Sequence, residues 1–176
     1  MSKSASGRPA PSEYAPYHET YISKVSADDI LSFLQQQLDS TIALMKSIDD
    51  STGNYRYEAG KWSVKEVLGH IIDTERVFAY RALVFARADS TPLPGFDQDT
   101  WATHANYANL PVRDIAAEFE NVRRSTIFLF RHLDPEAWHR QGTANNKEIT
   151  TRAVAYIIGG HTQHHLEILN ARYLNR

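Results

Sequence analysis

The 176-residue chain contains no cysteine. That excludes disulfides, thiolate-built zinc and iron–sulfur sites and a cysteine nucleophile in one step, and it suits a reducing compartment. Charge of one sign is not in surplus either: 19 Lys and Arg against 21 Asp and Glu give a formal net charge of −2. Without a basic field to hold phosphates, nucleic acid is not an expected partner. No apolar run approaches the roughly 20 residues that span a bilayer, so no membrane partner is expected. Met1 to Ala10 lacks the apolar core of a signal peptide. These absences place the expected protein in the cytoplasm. The chain is 42% hydrophobic and long enough for one packed core.

What is present has helical period. Met1 to Pro16 is rich in Ser, Ala and Pro and is expected to be a flexible tail, residues 1–16, leaving 17–176 as the domain. A first helix is expected from about Ser26, with Asp29 three residues on as a capping-box-like pair. Leu31, Leu34, Leu38, Ile42, Met45 and Ile48 recur at three and four and form its inward row. Gln35, Gln36 and Gln37 read as exposed or half-exposed. A second helix opens at Ser63-Val64-Lys65-Glu66, a capping box flanked by Trp62 and Val67 as a hydrophobic staple, and runs to about Arg87. A third runs from about Pro111 to His132 on Ile115, Phe119, Val122, Thr126, Leu129 and Leu133, with Arg123, Arg124 and Arg131 read as a solvated face. The last runs from about Thr150 to Leu174.

No stretch alternates like a strand, and Gln141 to Glu148 reads as polar loop. Asp89 to Pro111 is long for a connection, which points to a functional segment or a short helix. Asp97 to Tyr107 fits either a short helix with Trp101 packing down or a lid over a pocket. The fold class is therefore all-α, a four-helix bundle with a long link between helices two and three that can cross the bundle.

The chemistry concentrates in the last helix. On a helical wheel Val154, Ile157, Ile158, His161, His165, Ile168 and Leu169 share one face. Two imidazoles thus stand where a core would carry Leu or Ile. Placed at i and i+4 they aim the same way and match the spacing of paired histidine ligands to one divalent ion. The other reading is a pair of hydrogen-bonded core groups. His164, at i+3, is the rival partner, turned about 80° from the centre of the apolar face. A third candidate, His70, lies at the shoulder of the helix-two stripe beside Glu66 and Asp73. It reads as a ligand or as a half-buried surface residue. Asp73, Glu66 and Gln163 are the candidates for orienting a ring N–H. Three neutral imidazoles would leave open coordination positions, the catalytic pattern for zinc. Such an ion would acidify water or polarise a carbonyl. An all-histidine set suits zinc, nickel, copper or iron rather than calcium or magnesium.

Two strings resemble the DinB-like (YfiT-like) metalloenzyme family: Lys61-Trp62-Ser63-Val64-Lys65-Glu66-Val67-Leu68-Gly69-His70-Ile71-Ile72-Asp73-Thr74-Glu75, and Gly160-His161-Thr162-Gln163-His164-His165-Leu166-Glu167-Ile168-Leu169. The resemblance covers roughly Ser26 to Leu174. It implies a bundle with an up-down-down-up course, often a homodimer, and one divalent transition metal, commonly nickel or zinc. Carried over by position, the implied metal ligands are His70, His161 and His165. The implied activity is that of a metal-dependent hydrolase or a thiol S-transferase acting on a small-molecule substrate, the latter with a low-molecular-weight thiol. A non-catalytic metal or small-ligand binding bundle is the alternative.

Overall fold

The structure, a computed structural model, describes residues 7–174. Four long helices form the bundle: Ile30–Ser47, Val64–Ala86, Val112–Arg131 and Thr151–Leu169. They are called here the first to fourth bundle helices. The first and second each pack against both the third and the fourth, so they face one another across the diagonal. No helix among the described residues is long and apolar enough to cross a membrane.

Local chemistry explains most of the helix ends. Ser63 Oγ accepts from the Glu66 N–H, while the Glu66 carboxylate accepts from the Ser63 N–H at 2.6 Å. This reciprocal cap satisfies two of the amides a helix start leaves without partners. The first bundle helix starts later than expected. Its cap is Asp29, which accepts from the N–H groups of Leu31 and Ser32, rather than Ser26. Thr150 caps the fourth through the Ala153 N–H. The apolar stripe Val64, Val67, Ile71, Phe78, Ala82 and Phe85 is wholly buried, each large side chain contributing about 1.5–3 kcal/mol by leaving water.

Three further expectations are corrected. From residue 7 onward the N-terminal segment is docked rather than loose. Arg8 donates to the carbonyls of Ile22 and Val25, both at 2.8 Å. Glu13 accepts from Thr150 and pairs with Arg152, and Tyr14 and Ala15 are buried. Residues 1–6 of the expected tail lie outside the described residues. Second, Gln141–Ala144 and Lys147–Thr150 pair as an antiparallel hairpin. Its two-residue turn, Asn145-Asn146, has φ of 51° and 59°, the left-handed pair of a type I′ turn, which matches strand twist and which Asn tolerates. Third, Arg123 is fully buried. Its guanidinium grips Glu75 Oε1 and Oε2 at 2.8–3.0 Å and also donates to Gln37 Oε1 and Thr162 Oγ1. Gln37 is buried with it.

The long link holds the helix Gln98–His104. It is tied to the hairpin edge by Leu93, whose N–H donates to Thr143 O at 2.9 Å and whose carbonyl accepts from Asn145. Trp101 stays 43% exposed, packed on Phe96 with ring centroids 4.8 Å apart, so it does not plug the core.

Candidate metal centre

The second and fourth bundle helices run in opposite directions. Tyr173 beyond the end of the fourth donates to the carbonyl of Trp62 before the start of the second, at 2.9 Å. Gly142, ahead of the fourth, abuts Phe85 near the end of the second. This crossing sets His70 opposite His161. The glycines preceding both histidines admit close neighbours. A Cβ on Gly69 would lie 2.1 Å from the Tyr107 ring, and one on Gly160 would lie 1.9 Å from the Tyr21 carbonyl oxygen. Backbone and ring therefore close over the helix surface at the two histidines, and only glycine leaves the room.

Three imidazoles converge. His70 Nε2 lies 3.0 Å from His161 Nε2, and His165 Nε2 lies 3.1 Å from the same atom. His70, His161 and His165 each point one ring nitrogen into a space in which all three atoms fall within 4.8 Å of one another. Two nitrogens that share a metal at about 2.0–2.1 Å in tetrahedral geometry sit about 3.3 Å apart, close to these spacings. His164 is excluded from the triangle: its ring packs on Tyr21 and on the ring of His165.

Burial decides the protonation state. Desolvation pushes the His70 pKa down to about 4 and that of His165 to about 3. His161 falls well below the ordinary imidazole value, through burial first and then the neighbouring His165 and His70 rings. All three are neutral at pH 7. Neutral imidazoles meet these contacts only in part, because His161 Nε2 carries either one proton or one lone pair and cannot make a full hydrogen bond to both neighbours. With every Nε2 lone pair turned inward, the donor set fits a divalent ion.

The orienting groups differ from those expected. Thr74, one turn beyond His70 and buried, places Oγ1 3.4 Å from His70 Nδ1. A proton on Nδ1 directed at this hydroxyl leaves the Nε2 lone pair free. Its i+4 spacing from His70 was a usable signal. Glu66 is occupied by its cap and by Arg56, and Gln163 donates to Glu167. Asp73 accepts from the Tyr107 hydroxyl at 3.1 Å and from Arg76. None of these three hydrogen-bonds a cluster histidine. Trp62 and Tyr21 wall the cluster, with ring centroids 4.9 Å from His70 and 5.3 Å from His161.

Residues 33–169 match the DinB superfamily. The chain belongs to that superfamily. A relative from Oceanobacillus iheyensis, named "Putative metal-dependent hydrolase", is 28% identical over 148 residues, covering 81% of this chain and 84% of the relative. YfiT from Bacillus subtilis, described as "a probable metal-dependent hydrolase with an unusual four-helix bundle topology", superposes with a TM-score of 0.71 at 16% identity. That match covers 86% of this chain and 89% of the YfiT chain, and it shows the shared bundle fold.

In this DinB chain two cavities reach the histidines from different sides. One, of about 210 Å³, is bounded by His70, His161, Tyr21, Phe96 and Gln98. The other, of about 510 Å³, opens on His165 and is bounded by Lys61, Trp62, Gln98, Arg172 and Tyr173. Gln98, the first residue of the link helix, borders both. The link forms the expected short helix, but Trp101 does not pack down, and of that helix only Gln98 lines both cavities. His18 carries no signal in the sequence. It is buried in the wall of the smaller cavity, and only the tertiary docking of the N-terminal segment brings it there.

Proposed function

We propose that this protein is a metal-dependent hydrolase of small molecules, with His70, His161 and His165 as the protein ligands of one divalent transition metal, zinc or nickel. The observation that carries the reading is the convergence of three ring nitrogens from neutral histidines, two of them buried and His165 half-buried. A divalent ion held there supplies Lewis acidity and acidifies water. The chain's own contribution is positional. Thr74 holds the His70 ring in the tautomer that presents Nε2. Tyr21 and Trp62 keep bulk water from the faces of the rings. The link helix borders the site through Gln98 and leaves the two cavities as entrances. Three protein ligands leave coordination positions for a substrate. Cytoplasmic residence, a homodimer and a small-molecule substrate belong to the same reading.

A second reading, a thiol S-transferase, is favoured by one observation: two separate cavities meet at the cluster, as a two-substrate reaction with a low-molecular-weight thiol requires. The deciding experiment is elemental analysis of protein purified without a metal-affinity tag, beside His70→Ala and His165→Ala. About one equivalent of metal in the wild type, lost in both variants, supports the shared site. Metal retained in both variants, or absent from the wild type, ends the reading. Turnover of activated esters with water alone, abolished by chelation, then selects the hydrolase. Turnover only with added thiol selects the transferase.

A further inference from the structure

The smaller cavity holds a second polar feature that the metal reading does not use. Arg81 lies on the second bundle helix, three turns beyond His70, and is 6% exposed. Its guanidinium sits 4.8 Å from the Phe78 ring centroid and 6.0 Å from that of Phe96. One N–H donates to the Pro94 carbonyl at 2.9 Å. Among the described residues no carboxylate pairs with it. A buried guanidinium loses several kcal/mol of hydration, which the two ring faces and one carbonyl offset only in part because no counter-charge is supplied. Arg81 borders the same cavity as His70 and His161. Another wall residue, His18, has a buried Nδ1 with no hydrogen-bond partner. The cavity is therefore polar, charged at one end and incompletely satisfied.

We infer that Arg81 is the carboxylate-binding residue of this site, so that the protein acts on small carboxylic acids held with the carboxylate at Arg81 and the reacting group toward the histidine cluster. This rests on the hydrolase reading for the reaction, but not for the binding. A planar guanidinium fork matches a carboxylate bidentately. One positive charge neutralises one carboxylate and would leave a phosphate dianion half-compensated. At about 210 Å³, the cavity falls below the roughly 300–1,000 Å³ of drug-sized ligand pockets, which keeps the acid small. Aromatic walls at Tyr17, Phe78 and Phe96 suit an unsaturated or aromatic body.

Benzoate and benzamide share size and shape and differ in charge. Each is titrated calorimetrically into the full chain, once loaded with zinc and once after chelation. The expected result is benzoate at least tenfold tighter than benzamide in both forms, with the preference falling within twofold in Arg81→Gln while zinc stoichiometry is unchanged. Arg81→Lys, which keeps the charge but loses the fork, takes its place if Arg81→Gln does not fold, and at least a threefold loss of the preference is expected. No preference in the wild type overturns the proposal, and so does a preference that survives in the variants. A preference seen only with zinc puts the carboxylate on the ion and also overturns it. Failure of the metal reading looks different: zinc does not bind, yet benzoate is still preferred.

Discussion

The bundle carries two polar constellations in adjoining positions of its helices, and they are built on opposite terms. Around Arg123 every strong demand is met from within: two Glu75 oxygens, the Gln37 amide oxygen and the Thr162 hydroxyl surround one guanidinium. Around His161 the demand is left partly open, with three ring nitrogens converging and His161 Nε2 facing two neighbours at 3.0 and 3.1 Å. The two sets are neighbours in the chain: Thr162 follows His161, and Glu75 follows Thr74. A closed network needs no visitor, and its worth is structural order. An open one, on the reading proposed above, is a receptor. The same contrast separates Arg123, which has its carboxylate, from Arg81, which does not.

The largest effect should come from breaking the closed set. Arg123→Ala leaves the Glu75 carboxylate, 1% exposed, without a counter-charge. Removing one partner of a buried pair typically costs about 3–5 kcal/mol. Urea unfolding should show a loss of that size, with metal stoichiometry unchanged in whatever remains folded. A loss under about 1 kcal/mol, the scale of an exposed pair, would mean that the network is not the closed unit described.

Acid should next break the open set together with His18 in the wall beside it. His18 and His70 have folded pKa values near 4 and His165 near 3, against 6.5 for the free group. Between those values the unfolded chain holds more protons than the folded one, so stability rises with pH. The contribution is fully present above about 6.5 and is lost as pH falls toward 4. Each histidine costs about 1.4 kcal/mol per pH unit in that window, or about 4 kcal/mol for the three at pH 5.5. Metal-free protein unfolded in urea at pH 7.5 and pH 5.5 would show it. Equal stability at both would mean these rings are charged in the fold.

Much of this contrast is legible in the order of the amino acids. The Ser63–Glu66 cap, the Gly160-to-Leu169 string and the four apolar stripes are local patterns, set by spacing along one helix, and they locate the bundle and the His161–His165 pair, while His70 is left open by spacing and is assigned only by the family resemblance. What stays hidden is tertiary. Arg123 looks solvated because its partner Glu75 lies on another helix. The hairpin turn is an Asn-Asn pair rather than the commoner Asn-Gly. His18 enters the site only because the N-terminal segment docks through Arg8 and Glu13. An isolated polar residue does not announce in sequence whether its partner exists, and that is the property separating the two constellations.

Metal supply should sharpen the comparison. If the open set is a receptor, zinc at a hundredfold above its Kd should stabilise the fold by about 2.7 kcal/mol. His161→Ala should lose all of that gain while its metal-free form unfolds within about 1 kcal/mol of the wild type, since a cluster with unmet lone pairs contributes little on its own. A His161→Ala protein that is badly destabilised without metal would instead put the histidines in the same structural class as Arg123.

The smallest expected effect tests the boundary between the two sets. Thr74 touches the open set through His70 Nδ1 at 3.4 Å and adjoins the closed set through Glu75. Thr74→Val keeps the shape and removes the hydroxyl. If Thr74 orients the ligand ring, zinc affinity should fall about tenfold, the low end for removing a group that positions a metal-binding histidine, and urea stability without metal should hold. The long contact argues for that low end, because a weak hydrogen bond fixes a tautomer without holding it firmly. Should stability fall while zinc affinity stays, Thr74 belongs to the closed network, and the ring of His70 is set by Trp62 packing alone.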